Sequence, residues 1–456
     1  MSSQPASPLM APDTPVGSVA DLVAHFQRGE KPEHQFRIGV EHEKIAVVVR
    51  PGEPVRPLPY EDPAGGPGLR DLLTELTRYG WTAVEEDGRI IGLRRHGSSV
   101  SLEPGGQMEL SGRPFATAVE AARDVDLHMA ELLPIAAAQG VAFLACGFRP
   151  LGSWDDVPWM PKGRYRVMRM YLPTRGKLGV EMMKRTATVQ VNLDYHNEAD
   201  AMEKLRLAMS LSPLITAMYA ASPLRDGRPC GYKSFRAACW LDTDPDRCGL
   251  LPFVYHEGAG YRDYVEWALD VPMFFVYRQG TYHPVLGLTF RRFLHEGWQG
   301  ERATLGDWDL HLSTLFPEAR LRQYVETRSA DAGPMELVRA LPCLWRGLLY
   351  SAEGSRAAWE LVRSWSYDER QALRREVPRA GMEARVRGHV LGELCEEVVN
   401  ISREALRSLG DEEALALLEP LCQLVRERRA PAEALLSAYT AAAGDERAFV
   451  EAIRYR

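Results

Sequence analysis

Hydrophobic and polar residues alternate along residues 36–49, and this alternation predicts a β-strand. The segment reads Phe-Arg-Ile-Gly-Val-Glu-His-Glu-Lys-Ile-Ala-Val-Val-Val. Residues two apart in a strand share one face of the sheet, so Glu41 and Glu43 point to the same side. Their β-branched and apolar neighbours indicate that the strand is buried.

A second alternating segment covers residues 98–112 and reads Ser-Ser-Val-Ser-Leu-Glu-Pro-Gly-Gly-Gln-Met-Glu-Leu-Ser-Gly. Gln107 and Glu109 share one face of this segment, and Met108 and Leu110 share the other. Pro cannot donate to a central ladder and Gly weakens one. We therefore expect a bulge or bend at residues 104–106 that directs polar groups into a site.

The carboxylates in these apolar strands predict a metal site. Burying a pair of carboxylates costs free energy unless a cation neutralises them. Two strands with inward carboxylates favour a hard divalent cation, which takes oxygen ligands. Each Glu taken singly could instead be solvated on an edge strand. The candidate ligands are Glu41, Glu43, Glu103, Gln107 and Glu109.

The remaining pattern predicts an α+β fold with a mainly antiparallel sheet. Apolar spacing predicts helices over 19–28, 69–79, 116–139 and 198–219, and strands over 81–84, 89–93, 141–147, 182–195 and 269–278. Residues 1–17 are rich in Pro and Ser, so we expect a disordered or extended segment. Residues 18–333 then form the sheet-containing domain. From 334 to 456 amphipathic helices predominate, at 337–350, 356–365, 384–409, 412–427 and 431–442, and we expect them to pack on that domain.

Two further segments supply candidate binding groups. Thr186, Thr188, Gln190 and Asn192 alternate with apolar residues, and a strand face of short donors and acceptors is typical of a site lining rather than of a solvent face. Residues 147–168 form a long aromatic and basic segment that we interpret as a functional loop. Its cations Lys162, Arg164 and Arg166 could meet phosphates or carboxylates, or could be a solvated positive face.

Composition excludes several classes of function. The chain has 456 residues, a net charge of −7, 45% hydrophobic and 26% charged residues, which is ordinary for a soluble globular enzyme and gives no reason to expect nucleic-acid binding. No apolar run is long enough for a transmembrane helix, and the first residues lack the pattern of a secretory signal, so we expect a cytoplasmic protein without a membrane partner. The seven cysteines have irregular spacing with no C-x-x-C, which favours reduced thiols over zinc or disulfides. Phosphate-loop, nucleophile-elbow, zincin and protein-kinase motifs are absent.

Five motifs resemble the plant-type glutamate–cysteine ligases, which also occur in many proteobacteria. They are Ile-Gly-Val-Glu-His-Glu-Lys, Ser-Leu-Glu-Pro-Gly-Gly-Gln-Met-Glu-Leu-Ser-Gly, Trp-Met-Pro-Lys-Gly-Arg-Tyr, Arg-Thr-Ala-Thr-Val-Gln-Val-Asn-Leu-Asp-Tyr and Ala-Leu-Asp-Val-Pro-Met-Phe-Phe-Val-Tyr-Arg. The resemblance covers residues 19 to 365. It implies a glutamine synthetase-like domain, in which a curved antiparallel sheet forms an active-site funnel with helices outside.

The resemblance also implies an activity. ATP and Mg²⁺ would drive ligation of the glutamate γ-carboxyl to cysteine through γ-glutamyl phosphate, giving γ-glutamylcysteine, the first intermediate of glutathione synthesis. Partners would be these small molecules, and the protein would be a monomer or weak homodimer. The implied metal-holding acids are Glu41, Glu43, Glu103 and Glu109, assisted by Gln107. The implied ATP or substrate contacts are Lys162, Arg164, Arg185, Gln190, Asn192 and Arg236, with Glu41, Glu43, Arg164 and Arg236 as catalytic groups.

Two departures from the family accompany this resemblance. Val285 and Gly300 stand where plant members carry a redox-regulatory cysteine pair, so that switch is expected to be absent. Ala187 replaces a cysteine found in many members, a small change on the apolar face. Two other functions stay open: a γ-glutamyl ligase for another amine, and a non-catalytic binding protein on a degenerate ligase fold. Loss of the buried acids would mark the last, and all four are present.

Overall fold

A computed structural model describes residues 14–456 of the chain. Residues 1–13, the greater part of the segment expected to be disordered, lie outside the described residues. The end of that segment is held in place by backbone hydrogen bonds. The Val16 amide donates to the carbonyl of Ala303 over 2.9 Å, and the Leu305 amide donates to that of Thr14 over 2.9 Å.

The strands of the described chain are mostly short, and ten of them form one sheet. The long central strand is fully buried along its length because it is apolar apart from the Glu-His-Glu-Lys segment. The strands are β1 Ile38–Val48, β2 Arg56–Pro57, β3 Thr82–Glu86, β4 Arg89–Arg95, β5 Ser98–Leu102, β6 Met108–Ser111, β7 Val141–Leu144, β8 Thr188–Leu193, β9 Leu224–Arg225, β10 Arg228–Pro229, β11 Cys248–Gly249, β12 Phe275–Arg278, β13 Thr281–Pro284, β14 Phe316–Pro317, β15 Ala319–Leu321, β16 Val325–Asp331, β17 Arg385–Val386 and β18 His389–Val390.

The ten-stranded sheet is open and antiparallel, with the order β15-β16-β8-β1-β6-β5-β4-β3. The first half of β1 lies between β6 and β8, and its second half pairs with β2 and β7. Strand β1 is therefore the centre of the sheet, with its acidic residues in the part that has a neighbour on both sides. The remaining strands form small two-stranded pairs, of which β11 and β14 are parallel.

Helices surround the sheet. They are α1 Val19–Gln27, α2 Leu69–Leu76, α3 Ala118–Ala138, α4 Gly163–Tyr171, α5 Gly179–Arg185, α6 Glu198–Met218, α7 Phe235–Leu241, α8 Tyr261–Asp270, α9 Phe290–Glu296, α10 Leu305–Leu312, α11 Met335–Leu349, α12 Ala352–Val362, α13 Tyr367–Ala380, α14 Leu391–Ser408, α15 Glu412–Arg426, α16 Pro431–Ala442 and α17 Glu446–Ile453. None of the helices in residues 14–456 is long and apolar enough to cross a bilayer.

The helical C-terminal part packs directly against the sheet. Helix α11 contacts α3, β1 and β8, and α14 and α15 pack on α11. Near the end of the chain, Tyr455 returns to the central strand, where its hydroxyl lies 3.0 Å from Nε2 of His42. The predicted α+β class, with its mainly antiparallel sheet and helical C-terminal region, is confirmed. The domain boundary at residues 333 and 334 stays a prediction.

Four local predictions are wrong in part, in segments where charged or aromatic residues obscure the periodicity. The helix predicted over 384–409 begins only at Leu391, because the short strands β17 and β18 precede it. The strand predicted from 182 begins only at Thr188, because helix α5 extends to Arg185. The strand predicted over 269–278 is limited to Phe275–Arg278, and helix α8 ends at Asp270. The loop predicted over 147–168 contains the start of helix α4 at Gly163, so Arg164 lies on a helix.

Candidate active site

Two carboxylates face each other across the centre of the sheet. Glu43 on β1 is directly opposite Glu109 on β6, and Ser101 on β5 is opposite Glu109 on its other side. Like charges in this position repel, and this pair is almost fully buried. The Thr188 amide donates to Glu43 Oε2 over 3.1 Å, and the Ser101 hydroxyl donates to Glu109 Oε2 over 3.2 Å. A cation beside them would reduce the repulsion between the two carboxylates.

Glu41 extends the acidic face along β1. Its Oε1 accepts a hydrogen bond of 3.0 Å from Asn192 Nδ2 on β8. Within residues 14–456, its Oε2 has no hydrogen-bond partner, and neither has Oε1 of Glu109. Buried acceptors in this condition cost free energy. They fit a ligand that brings positive charge or hydrogen-bond donors.

Glu103 joins this face from the tight hairpin turn between β5 and β6. The Glu103 amide donates to Gln107 O over 2.8 Å, so residues 104–106 form a hairpin turn rather than a bulge within one strand. A Cβ at Gly105 would lie 2.1 Å from the carbonyl oxygen of Lys184. Gly106 has a φ of +82°. Gly105 is therefore required for the turn to pass close to helix α5, and Gly106 for the left-handed conformation of the turn.

Burial raises the pKa of three of these acids. The pKa of Glu41 rises to about 8, with repulsion from Glu326 and Glu109 adding to burial. The pKa of Glu103 rises to about 7, through burial and the charges of Glu109 and Glu43. The pKa of Glu43 is raised for the same reason. Burial therefore favours the protonated forms of these acids, and a cation that binds them displaces the protons.

Cations border the acids on one side. Arg236, on α7, donates from Nη2 to the Arg328 carbonyl over 2.7 Å and lies 3.6 Å from Asp331. It lines a cavity of about 20 Å³ together with Glu43, Glu103, Thr188, Trp240 and Arg328, and this cavity is large enough for one water molecule or ion.

Lys162 and Arg164 are buried at the start of α4. The Nζ of Lys162 has no hydrogen-bond partner in residues 14–456, and burial lowers its pKa to about 8 despite the attraction of Glu103. Arg164 lies with its guanidinium 5.6 Å from the centre of the Phe275 ring and 3.4 Å from Ser313 Oγ. Two buried cations near Glu103, with few protein partners, fit an anionic substrate group.

Strand β8 connects the acidic face to a second charged group on β16. Gln190 is opposite Glu41, and its Oε1 accepts a 2.8 Å hydrogen bond from Arg328. Arg328 also pairs with Glu326, which binds Arg320 at 2.8 Å. Although burial alone would raise it, the pKa of Glu326 is lowered to about 2 by these arginines. Arg328 lies where the register of β16 shifts, a bulge of the kind common beside active sites.

Two predicted site residues have different surroundings from those expected. Gln107 accepts from the Gly105 amide and donates to Met183 O and Thr186 O, so its amide ties the hairpin turn to α5. Arg185 is fully buried away from the acids, and its guanidinium binds Glu181, Asp226 and two backbone carbonyls. The Gln107 amide and both terminal nitrogens of Arg185 are occupied within the protein, which favours a positioning role for both residues.

Three residues at the site had no place in the prediction. Glu326, Arg328 and Arg320 come from Arg-Leu-Arg-Gln-Tyr-Val-Glu-Thr-Arg, a stretch whose charge density is typical of a solvated surface. The only feature of this stretch that could have indicated a site is the spacing of Glu326 and Arg328, which are two residues apart and would share one face of a strand. Pairing with β8 places both on the face of Gln190 and Asn192.

The acids fit Mg²⁺ bound in part by substrate phosphates. Among residues 14–456, no three His, Cys, Asp or Glu side chains form a group that could hold a metal ion alone. Mg²⁺ commonly takes one or two carboxylates and completes its shell with water and phosphate oxygens. The opposed pair Glu43 and Glu109, and the unpartnered oxygen of Glu41, meet that requirement.

The sequence matches the profile of glutamate-cysteine ligase family 2 over residues 37–452. The chain belongs to this family. The chloroplastic glutamate–cysteine ligase of Arabidopsis thaliana is 42% identical over 423 residues, covering 92% of this chain and 79% of that protein. Glutamate–cysteine ligase A of Oryza sativa subsp. japonica, also chloroplastic, is 41% identical over 92% of this chain and 84% of its own length. The resemblance found in the motifs is thereby confirmed.

A solved structure shares the fold of this family member. The glutamate–cysteine ligase of Francisella tularensis, determined in complex with AMP, superposes with a TM-score of 0.55 over 92% of this chain and 88% of that one. The two sequences are 12% identical, so the similarity concerns the fold. It agrees with the open sheet and helical C-terminal part described above.

Proposed function

We propose that this protein is an ATP-dependent glutamate–cysteine ligase that forms γ-glutamylcysteine, the first step of glutathione synthesis. Its family and its relatives over 92% of the chain support the reaction class. The observation that carries the proposal is the buried pair Glu43 and Glu109, directly opposite in the central strands. Protein folds do not retain such a pair unless a cation or a proton offsets the repulsion.

The first step is the transfer of a phosphoryl group to glutamate. An oxygen of the glutamate γ-carboxylate attacks the γ-phosphorus of ATP, the bond to the bridging oxygen breaks, and ADP leaves. Mg²⁺ held by Glu41, Glu43, Glu103 and Glu109 would neutralise phosphate charge during this transfer. Gln107 and Asn192 keep the acids in place by fixing the hairpin turn and by binding Glu41.

The second step forms the amide. The cysteine amine, after losing its proton, attacks the carbonyl carbon of γ-glutamyl phosphate, and inorganic phosphate leaves. Lys162, Arg164 and Arg236 are the buried cations placed to hold the phosphate or the substrate carboxylates. No protein nucleophile is required, because phosphorylation already activates the glutamate.

The acceptor is tested by measuring ADP release with glutamate, ATP and Mg²⁺ against a panel of amines. Preference for cysteine supports the proposal. Preference for another amine supports the alternative γ-glutamyl ligase. If no amine gives glutamate-dependent ADP release, the protein is non-catalytic. The presence of all four acids argues against that outcome.

Localisation in the cytoplasm and a monomeric or weakly dimeric state are part of this proposal. They rest on the sequence pattern described above. Fractionation of cells that express the full chain, and sedimentation of the purified protein, test them directly.

A further inference from the structure

A large cavity in residues 14–456 lies outside the acidic site. It has a volume of about 840 Å³, within the range of small-molecule pockets. Its walls come from α6, from the α11–α12 region and from the segment just before β1. Helix α11 packs on β1, β8 and α3, and α3 carries His128, which lies near His42. His42 alternates with Glu41 and Glu43 along β1, so this cleft is on the opposite side of the sheet from the acids.

Basic side chains predominate in the cleft although the whole chain is negative. Five basic residues and three acidic residues line it, against a net charge of −7 for the chain. Two of the five are satisfied: Lys204 pairs with Asp200 at 2.8 Å, and Arg346 pairs with Asp411 at 2.7 Å. The other three basic residues outnumber the two remaining acids of the lining, Glu33 and Glu203, so the cleft keeps a net positive charge.

Three arginines in the cleft have no carboxylate partner. Arg37, Arg206 and Arg356 form no salt bridge within residues 14–456, whereas most other arginines of the chain do. Within residues 14–456 the Arg37 guanidinium donates only to the Phe36 carbonyl, and Arg206 lies 4.7 Å from the Trp359 ring centre. Guanidinium groups have five N–H donors each and bind carboxylate or phosphate oxygens in pairs.

Two aromatic rings form part of the cleft wall. Phe36 and Tyr350 pack with ring centroids 4.9 Å apart, and Lys204 Nζ lies 4.1 Å above the Phe36 ring. The Tyr350 hydroxyl accepts from the Asp194 amide over 2.6 Å, and Lys204 donates to the Asp194 carbonyl over 3.0 Å. Asp194 follows β8, two residues after Asn192, and Asn192 donates a hydrogen bond to Glu41. An occupant of the cleft would therefore contact side chains that support β8 next to the acidic site.

We propose that this cleft is a second binding site, for a compact organic anion with two or more carboxylate or phosphate groups. Three unpaired guanidiniums from three segments of chain converge on one cavity of ligand size, and their charge is complementary to such a molecule. Neither a single carboxylate nor an uncharged ligand would use all three. The proposal concerns binding and does not depend on the ligase reaction.

Isothermal titration of the full chain without Mg²⁺ tests the proposal, with citrate as the polycarboxylate and fructose 1,6-bisphosphate as the phosphate probe. We expect at least one to bind at submillimolar concentration, and the stronger probe identifies the anion type. Arg356→Gln and Arg37→Gln should each weaken binding about tenfold, the typical loss for one charge-assisted hydrogen bond. Arg356 is exposed, so its replacement leaves the fold intact.

Two controls separate this cleft from other cationic sites. Arg363→Gln removes an exposed arginine that pairs with Glu360 at the end of the same helix, and Lys162→Met removes an active-site cation. Both variants should bind the anion as the wild type does. The proposal is overturned if neither probe binds at millimolar concentration, if Arg356→Gln binds normally, or if Lys162→Met abolishes binding.

Discussion

Buried glutamates on two strands of the same sheet, β16 and β1, have opposite electrostatic surroundings. On β16, Glu326 is bound by Arg320 and Arg328, and its pKa is lowered to about 2. On β1, Glu41 is equally buried but has an amide as its hydrogen-bond partner, and its pKa is raised to about 8. Burial is the same for both residues, so the difference arises from the counter-charge each one has.

This contrast separates a structural charge from a functional one. The positive charge for Glu326 is covalently part of the chain, so that group is complete without a ligand. Glu41 and Glu109 each keep a buried oxygen with no hydrogen-bond partner in residues 14–456, and a bound cation would offset the cost of burying them. Catalytic groups are commonly held in this incomplete state.

The largest effect should follow from removing one of the uncompensated acids. Glu41→Gln or Glu109→Gln should lower turnover by on the order of 100- to 1,000-fold, similar to the loss of one electrostatic contact with a transition state. The fold should survive, because the amide has the shape of the acid and relieves repulsion. Steady-state ADP release and circular dichroism measure the two effects. Glu85→Gln, an exposed acid on β3, serves as the matched control and should behave as wild type. Normal turnover in both active-site variants would remove the metal role from these acids.

The reverse pattern is expected at the compensated acid. Glu326→Gln leaves Arg320 and Arg328 buried without their carboxylate, which should cost about 3–5 kcal/mol in the free energy of unfolding. Denaturant unfolding measures this change. In the same assay without Mg²⁺, Glu109→Gln should be neutral or stabilising. Equal destabilisation in both variants would show that the contrast between the two groups does not exist.

The pH dependence of stability should differ between the two groups. Glu41 and Glu103, with pKa values raised to about 8 and about 7, bind more protons in the folded state than in the unfolded one. Without Mg²⁺ their contribution is largest at acidic pH and is lost as pH rises through those values. Glu326 does the opposite, because its lowered pKa makes its contribution disappear only in strong acid.

The pH dependence of stability is measured by thermal unfolding from acidic pH to a pH above the pKa of Glu41, with and without Mg²⁺ and a nucleotide. Mg²⁺ should stabilise the protein more at alkaline pH than at acidic pH, because binding displaces the protons from the acids. A Mg²⁺ effect that is independent of pH would contradict the raised pKa values. The Glu41→Gln variant should show a weaker pH dependence than the wild type.

The smallest effect concerns oxidation. The motif resemblance implies that Val285 and Gly300 stand where plant family members carry regulatory cysteines. The seven cysteines of the chain are free thiols, all of them buried or half-buried. We therefore expect that mild oxidants do not change the activity by forming an internal disulfide. A reversible gain in activity on oxidation that is lost in a Cys→Ser variant would contradict this prediction.

The acidic half of the site could be predicted from sequence because its signal is local. Glu41, Glu43 and Glu109 stand at alternate positions in apolar strands, and alternation alone assigns them a face. The glycines at 105 and 106 likewise predict a sharp change of direction from their own conformational freedom. Once β1 and β6 are placed as neighbours in one sheet, their pairing brings the acids together.

The compensated half could not be predicted, because it depends on contacts between distant segments. Arg320 and Arg328 appear in the sequence as ordinary surface charges, and only pairing of β16 with β8 buries them. Arg185 is the converse case, since the family resemblance implied a substrate contact and the fold surrounds it with Glu181 and Asp226. The partners of a cation in the folded protein decide whether it is structural or functional, and these partners cannot be predicted from a single sequence.

The most direct test is the stabilisation of the protein by Mg²⁺ with a non-hydrolysable ATP analogue, measured at a pH above the value of about 8 for Glu41. The thermal midpoint should rise clearly in the wild type and in Glu85→Gln. It should rise little or not at all when Glu43 and Glu109 are both replaced by Gln. The same rise in that double variant would show that the opposed acids do not hold the metal.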